Sequence, residues 1–260
     1  MKKVLSIAGS DCSGGAGIQA DIKTITVHNM FAMSVITALT AQNTLGVHGV
    51  LEINPQFVDD QLEAIFTDIY PDAIKIGMVS NQGIIEVIIE KLTKYRVKNI
   101  VLDPVLISTS GSKLLKEDAM NKLITGLMPI ATVITPNLME AGCLCGFSIT
   151  SKEGMLRAAK EIALQYNGAI LIKGGHLKDC SDDLLYDKGE YYWFNQEHID
   201  NPNTHGTGCT LSSAIACHLA DGKDITGSIE AAKSYITGAL SANLDLGKGN
   251  GPLNHSWKLL

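Results

Sequence analysis

Short apolar runs alternate with longer amphipathic segments along most of the chain. Between residues 81 and 95, for example, Ile84, Ile85, Ile88 and Leu92 share one helical face. The pattern predicts strands at residues 4–8, 34–40, 73–78, 100–105, 132–135 and 169–173. It predicts helices at residues 17–28, 55–69, 81–95, 117–127, 152–166, 207–219 and 225–244.

Strands that alternate with helices of this length indicate βαβ units, and therefore a mostly parallel sheet with helices on both faces. Residues 182–195 differ, because their pattern predicts a hairpin that turns at Lys188 and Gly189, at an edge of the sheet. No internal repeat or Pro/Gly/Ser-rich linker interrupts the chain. We therefore expect a single domain over residues 1–260.

Composition and charge narrow the class of protein. Hydrophobic residues make up 45% of the chain and charged residues 18%, which favours a globular fold with a sizeable core. The net charge of −6 argues against binding nucleic acid or an anionic membrane through bulk electrostatics. The apolar runs are too short for a membrane span or a signal peptide, so we expect a cytoplasmic protein. Cys143 and Cys145 lie in an apolar stretch and are expected to be buried thiols.

Glycines cluster at residues 9–17, 174–175, 206–208 and 247–251. The first three clusters follow a predicted strand or open a predicted helix, which is where an open α/β sheet binds its ligand. Residues 9–17 do not fit Gly-x-Gly-x-x-Gly, and the chain has no Gly-Lys-Ser/Thr of a Walker A loop. The glycines thus predict the position of a site, without a common nucleotide motif.

The segment from Thr204 to Thr210 leads directly into a predicted helix. Its small residues Gly206, Thr207 and Gly208 would let backbone N–H groups converge on an anion at the positive end of the helix dipole. A simple N-cap loop is the alternative interpretation. Cys209 would lie in the first helical turn, where a thiol pKa is lowered; a packed thiol is the alternative.

Polar residues at the ends of other predicted strands suit a phosphate and its metal. Asp103, Asn137 and Glu140 offer oxygen ligands for Mg²⁺, although Asn137 and Glu140 suit helix capping equally well. Lys173 could place an ammonium near phosphate or be solvated. The amide of Gln42 carries a donor beside an acceptor, which matches an amino group next to a ring nitrogen, or else it is a surface residue.

Taken together, these motifs resemble a known family. They are Gly-Ser-Asp-x-Ser-Gly-Gly-Ala-Gly-Ile-Gln-Ala-Asp at 9–21, Ala-Gln-Asn-Thr at 41–44, Lys-Ile-Gly-Met at 75–78, Asp-Pro-Val at 103–105, Thr-Pro-Asn-Leu-x-Glu-Ala at 135–141, Lys-Gly-Gly-His at 173–176, Asn-Thr-His-Gly-Thr-Gly-Cys-Thr-Leu-Ser at 203–212 and Gly-Lys-Gly-x-Gly-Pro at 247–252. In this order, over nearly the whole chain, they resemble the hydroxymethylpyrimidine/phosphomethylpyrimidine kinases of thiamin synthesis, in the ribokinase-like superfamily.

The resemblance implies a three-layer α/β/α fold with a small β flap, ATP and Mg²⁺ as cofactors, a small pyrimidine as substrate and a homodimer. It implies a catalytic anion hole formed by Gly206, Thr207, Gly208 and Cys209, in which Cys209 supplies the thiol. It implies nucleotide contacts at Asn137, Lys173, Thr207, Lys233 and Lys248, and magnesium ligands at Asp103 and Glu140. It implies pyrimidine contacts at Gly9, Ala16, Asp21, Gln42, Met78 and Val105, with Asp21 and Gln42 reading the polar edge of the ring.

Two features of the resemblance leave alternatives open. Position 12 is Cys where the family's loop leads us to expect Pro. The Cys209 motif is also similar to that of a group of bacterial pyridoxal kinases, so a vitamin B6 kinase is the alternative function. Gln42 favours the pyrimidine, because its amide suits an aminopyrimidine edge better than pyridoxal's phenol and aldehyde. A non-catalytic ligand-binding protein with the kinase fold is the remaining alternative.

Overall fold

A computed structural model describes residues 1–106, 117–175, 177, 182–195 and 199–259. In these residues nine strands form one sheet, in the order β3-β2-β1-β4-β5-β6-β7-β8-β9. The strands are β1 Lys3–Asp11, β2 Phe31–Asn43, β3 Gly46–Glu52, β4 Ala73–Ile76, β5 Ile100–Leu102, β6 Val133–Ile134, β7 Ala169–Ile172, β8 Asp183–Asp187 and β9 Glu190–Phe194. The helices are α1 Gly17–Val27, α2 Pro55–Phe66, α3 Gln82–Lys94, α4 Glu117–Lys122, α5 Leu138–Cys145, α6 Lys152–Ile162, α7 Thr207–Ala220 and α8 Ile225–Ser241. His176 and Cys180 lie outside the described residues.

The predicted parallel sheet is confirmed, since β2, β1, β4, β5, β6 and β7 pair in parallel. The predicted hairpin is β8 and β9, which turns at Lys188 and Gly189, and β9 forms one edge of the sheet. Both turn residues have positive φ, as a tight two-residue hairpin requires. The single α-helix predicted over residues 117–127 is α-helical only to Lys122. It continues as a π-helical turn at Leu123–Leu127 and a 3₁₀ turn at Met128–Ile130.

Successive side chains of each buried strand point into two separate cores, because strand side chains alternate between faces. Leu5, Ile74 and Leu102 pack against α2 to α6, whereas Val4 and Val101 pack against α1, α7 and α8. The sheet is therefore the middle of the three predicted layers. Among the described residues, no helix has both the length and the apolar composition to cross a membrane.

Two elements were not predicted. The strand β3 pairs antiparallel with β2, and every one of its residues is exposed, as expected of the small β flap. The helix α5 has eight residues and carries Cys143 and Cys145. The expectation that both thiols are buried was wrong, because α5 exposes Cys143 and leaves Cys145 half-buried.

Candidate active site

Three residues expected to hold a phosphate or its metal, Asp103, Lys173 and Gly208, meet at the carboxyl ends of β5 and β7. The Lys173 ammonium donates to Oδ1 of Asp103 at 2.8 Å, and the Thr135 hydroxyl donates to the same oxygen at 3.0 Å. A Cβ added to Gly208 would lie 3.3 Å from Asp103 Oδ2 and 3.3 Å from Lys173 Nζ. The first turn of α7 therefore lies against this ion pair, and glycine at 208 is what permits the close approach.

At the start of α7 the N–H groups of Thr207 and Thr210 donate to the carbonyls of Thr204 and Gly206, and those of Gly208 and Cys209 have no protein acceptor among the described hydrogen bonds. The N-cap residue of α7 is Gly206, at φ +86°, and no side chain caps the helix. We call the segment from Thr204 to Thr210 the anion loop. A Cβ at Gly206 would lie 1.9 Å from the Gly15 carbonyl oxygen, so the anion loop packs directly on the loop after β1. The helix α1, which follows that loop, also lacks a side-chain cap. In contrast, side chains cap α2, α3, α5, α6 and α8; they belong to Asn54, Asn81, Asn137, Ser151 and Asp224.

The thiol of Cys209 lies in this first turn of α7. Burial raises the pKa of Cys209, and the nearby carboxylates of Asp21 and Asp103 act in the same direction. The ammonium of Lys75 and the backbone N–H of Gly17 oppose that rise. The direction is the reverse of what a helix N-terminus alone predicts, because desolvation is the largest effect on this buried thiol.

Asp21 lies beneath the site and not at its surface. Its side chain is wholly buried, and its two oxygens accept hydrogen bonds from the Lys75 ammonium at 3.0 and 2.8 Å. Ser6 and Ser213 donate to the same carboxylate. The expectation that Asp21 reads the edge of a pyrimidine has no exposed carboxylate oxygen to support it. The described contacts give Asp21 the role of a buried counterion for Lys75.

Asp11 organises the loop after β1, although it was not among the expected site residues. Its carboxylate accepts hydrogen bonds from the backbone N–H groups of Ser13, Gly15 and Ala16 at 2.9, 3.2 and 2.9 Å. His205 Nε2, from the anion loop, lies 2.8 Å from the same carboxylate. These hydrogen bonds hold the pKa of Asp11 well below its usual range, against the effect of burial. An aspartate at the end of the first strand, two residues before Ser-Gly-Gly, is the signal that could have identified it.

Gln42 lies beside this pair, with Nε2 3.3 Å from His205 Nε2. An ionised carboxylate can only accept, so His205 Nε2 carries the proton that it donates to Asp11. That nitrogen therefore cannot also accept from Gln42. The Thr40 hydroxyl can likewise donate its single proton to either of two acceptors, the Ser10 carbonyl at 2.9 Å or Gln42 Oε1 at 3.1 Å. With both protons given to the nearer acceptors, both ends of the Gln42 amide can bind a ligand.

The structure also places the remaining residues expected near a pyrimidine. A Cβ on Gly9 would lie 3.4 Å from Met78 Sδ, so these two residues are neighbours. Ala16 is the N-cap of α1 and is half-buried. The backbone N–H of Val105 donates to the Asp103 carbonyl at 2.9 Å, which fixes Val105 close to the Asp103–Lys173 pair.

The other expected nucleotide and metal residues have partners of their own. Asn137 and Glu140 form a capping box at the start of α5, with hydrogen bonds of 2.8 and 2.9 Å, and burial raises the pKa of Glu140 to about 7. The Lys233 ammonium donates to Asp183 at 2.6 Å, and the other oxygen of Asp183 accepts from Gly174 N–H at 2.9 Å. Lys248 is exposed.

A cavity of about 620 Å³ lies between β9 and α8. It is next to the Lys233–Asp183 pair, and its lining residues combine aromatic and small polar side chains: Trp193, Phe194, Asn195, Ile199, Glu230, Lys233, Ser234, Thr237 and Ser241.

Comparison with known proteins finds relatives that are named as phosphomethylpyrimidine kinases or as thiamine biosynthesis proteins. The family model described as phosphomethylpyrimidine kinase matches residues 11–254. A hydroxymethylpyrimidine/phosphomethylpyrimidine kinase of Streptomyces coelicolor is 44% identical over 256 residues, which are 98% of this chain and 95% of that protein. A thiamine biosynthesis bifunctional protein of Geobacter sulfurreducens is 46% identical over 253 residues, and the chain spans about half (52%) of that longer protein.

Two solved structures are similar over almost the whole chain. The crystal structure of a phosphomethylpyrimidine kinase from Clostridium difficile has a TM-score of 0.82 and 46% identity, and the match covers 91% of this chain and 98% of that one. A pyridoxal kinase from Staphylococcus aureus, in complex with AMP-PCP and pyridoxal, has a TM-score of 0.91 and 35% identity, covering 99% and 94%.

Proposed function

The chain belongs to the phosphomethylpyrimidine kinase family, and from this we propose that it transfers phosphate from ATP to 4-amino-5-hydroxymethyl-2-methylpyrimidine. It then phosphorylates the monophosphate to the diphosphate, in thiamin biosynthesis. The observation that carries the proposal is the uncapped first turn of α7 lying against Lys173 and Asp103. Free N–H groups beside an ammonium are what a phosphoryl group needs as its charge develops.

Asp103 suits a magnesium ion carried by the nucleotide. Its Oδ1 accepts from Lys173 and Thr135, and its Oδ2 lies on the side that faces Gly208. The described residues contain no cluster of three or more potential protein ligands for a metal. A metal held by one or two carboxylates would complete its shell with phosphate oxygens and water, which is the habit of Mg²⁺. Asp103, with Glu140 nearby, would hold it, and the ion would neutralise charge on the transferred phosphate.

One chemical difference separates the reaction's two steps. The first acceptor is a neutral alcohol, so a base within hydrogen-bond reach is useful, and Cys209 in the first turn of α7 would supply it. The second acceptor is a phosphate monoester that is already anionic at neutral pH, so it needs no base. Lys173 and the N–H groups of Gly208 and Cys209 would serve both steps by holding the transferred group.

Gln42 would distinguish the pyrimidine from other acceptors. Its amide can offer an N–H donor and a carbonyl acceptor together, because His205 and Thr40 donate their hydrogen bonds to the Asp11 carboxylate and the Ser10 carbonyl. A 4-amino group beside a ring nitrogen is complementary to that pair. The cavity between β9 and α8, next to Lys233, would take the adenosine of ATP. Residues 1–260 would act as one kinase domain, as a cytoplasmic homodimer.

Release of ADP by the purified protein with Mg-ATP tests the proposal, with hydroxymethylpyrimidine, its monophosphate or pyridoxal as separate acceptors. Turnover of both pyrimidines, with pyridoxal poor, is the expected result. Turnover of pyridoxal with an inert pyrimidine monophosphate would instead support a vitamin B6 kinase, the function named for the similar Staphylococcus aureus structure.

Replacement of Gln42 tests the specificity argument separately. Gln42→Leu should raise the KM for hydroxymethylpyrimidine about tenfold, because two neutral hydrogen bonds contribute roughly 1–3 kcal/mol together. The KM for ATP should change much less. Gln56→Leu is the matched control, since Gln56 is an exposed glutamine that bonds Asp60 on α2. An unchanged pyrimidine KM in Gln42→Leu would remove Gln42 from the recognition site.

A further inference from the structure

The turn between β2 and β3 contacts the glycine-rich loop at residues 247–251. The Thr44 hydroxyl oxygen accepts hydrogen bonds from the backbone N–H groups of Lys248, at 3.1 Å, and Gly249, at 3.2 Å. A Cβ on Gly249 would lie 2.2 Å from the Thr44 carbonyl oxygen, and one on Gly247 would lie 2.4 Å from the Thr44 hydroxyl. The two glycines therefore allow the loop to pack on the turn, and we call this packing the Thr44 contact.

The far end of the same loop is bonded to the anion loop. The backbone N–H of Gly251 donates to the Asn203 side-chain oxygen at 3.0 Å, and the backbone N–H of His205 donates to the Gly251 carbonyl at 3.1 Å. His205 is followed directly by Gly206, the N-cap of α7. The loop at 247–251 thus connects the tip of the β2–β3 ribbon with the segment that would hold the transferred phosphate.

The near end of this connection leads to the acceptor site. Thr44 is two residues from Gln42, and the backbone of Gln42 is further bonded to Cys12 of the loop after β1, at 3.1 and 3.3 Å. A displacement of the turn therefore moves the residue proposed to read the pyrimidine. Both partners of Thr44 are exposed, so water can replace them and the contact can open without disturbing the core.

We propose that the Thr44 contact makes the binding of the pyrimidine and of the nucleotide mutually dependent. This inference rests on the proposed function. Each ligand touches one end of the connection, and each binds best when the ribbon is docked on the loop. The first ligand to bind therefore bears the cost of docking, and the second binds to a site that is already closed.

Calorimetric titration measures this dependence directly. The Kd of hydroxymethylpyrimidine is measured with and without saturating Mg²⁺ and AMP-PCP, which cannot be turned over in the normal transfer. For the unaltered protein we expect the nucleotide analogue to tighten pyrimidine binding by about fivefold or more, the lower end of typical coupling between sites. The reverse titration must give the same factor, because the linkage is reciprocal.

Thr44→Val removes the accepting oxygen and keeps the shape of the side chain. We expect its coupling factor to fall to within about twofold of one, while the pyrimidine Kd without nucleotide changes little. Thr44→Ser should restore the coupling. Thr67→Val is the matched control, because the Thr67 hydroxyl bonds only its own helix α2, at Glu63 and Ala64, and should leave the factor unchanged.

The outcomes separate this inference from the proposed function. Full coupling in Thr44→Val, or none in the unaltered protein, would refute the inference while leaving the kinase assignment intact. Failure of the unaltered protein to bind the pyrimidine at all would refute the proposed function, and the inference with it.

Discussion

Lys75 and Asp21 form an ion pair with no exposed side-chain surface, directly beneath the proposed catalytic turn. Lys75→Met replaces the ammonium with an apolar group of similar length. The Asp21 carboxylate would keep the hydroxyl groups of Ser6 and Ser213 but would lose the cation that contacts both of its oxygens. Removing one partner of a buried pair typically costs about 3–5 kcal/mol, because a buried charge is left uncompensated.

That loss is large compared with the total stability of a domain, which is about 5–15 kcal/mol. Urea unfolding followed by circular dichroism should therefore show the midpoint of Lys75→Met shifted strongly downward with an unchanged slope. Lys75→Met combined with Asp21→Asn should recover most of the stability, since the neutral amide can still bond both serines. Replacing an entire buried pair is often neutral.

Lys2→Met provides the matched control. Lys2 also faces an aspartate, Asp72, but at 4.0 Å and with 49% of its side chain exposed. Water and salt screen such a pair, so its loss should hardly move the midpoint. The reasoning fails if Lys75→Met loses less than about 1 kcal/mol, or if the double variant is no more stable than the single one.

Two further predictions concern the anion loop. Cys209→Ala should slow phosphorylation of the alcohol by about 10²–10⁴-fold, the usual contribution of a general base, and slow that of the monophosphate far less. Because burial raises the pKa of Cys209, the active thiolate becomes more abundant as pH rises. The first step should therefore keep accelerating between about pH 7 and pH 9 while the second, whose acceptor is almost fully ionised in that range, stays flat. Equal losses or parallel pH profiles would assign Cys209 to packing. Gly206→Ala should abolish both steps, since its φ is +86° and its Cβ would lie 1.9 Å from a carbonyl oxygen. Gly49→Ala, whose Cβ would meet only Ala41 at 3.8 Å, should keep near-normal rates, and an active Gly206→Ala enzyme would contradict the loop geometry.

The buried strands were predictable because burial on both faces leaves a continuous apolar run in the sequence, as at 100–102 and 169–172. The strand β3 was not predictable, because all seven of its residues are exposed and two of them, Gly46 and Gly49, are glycines. Its pairing with β2, and not its own pattern, defines it. The helix α5 was missed for a similar reason, since its eight residues are too short for a clear helical period.

The loops that form the site were predictable because open α/β sheets bind ligands at the carboxyl ends of their strands. The individual contacts were not. Nothing near Asp21 in the sequence indicates that it is buried against Lys75, 54 residues away. The raised pKa of Cys209 could not be predicted from the sequence either. Desolvation raises it, and desolvation depends on every element that packs around the thiol, whereas the sequence indicated only that the thiol lies at the start of one helix.

The three lysines at or below the candidate site share one arrangement, which would let an acidic chain present the proposed anion site. Lys75, Lys173 and Lys233 each donate to an aspartate that lies 50 to 70 residues away in the sequence. Such a carboxylate reduces the positive potential that its lysine presents to a ligand. It also holds the flexible lysine side chain in one rotamer before any ligand arrives. A phosphate that meets Lys173 therefore does not have to immobilise it, and the entropy that a free surface lysine would lose on binding has already been lost in folding. Charge is then supplied locally, by held ammonium groups and the N–H groups of α7, and the net charge of −6 over the whole chain does not prevent it.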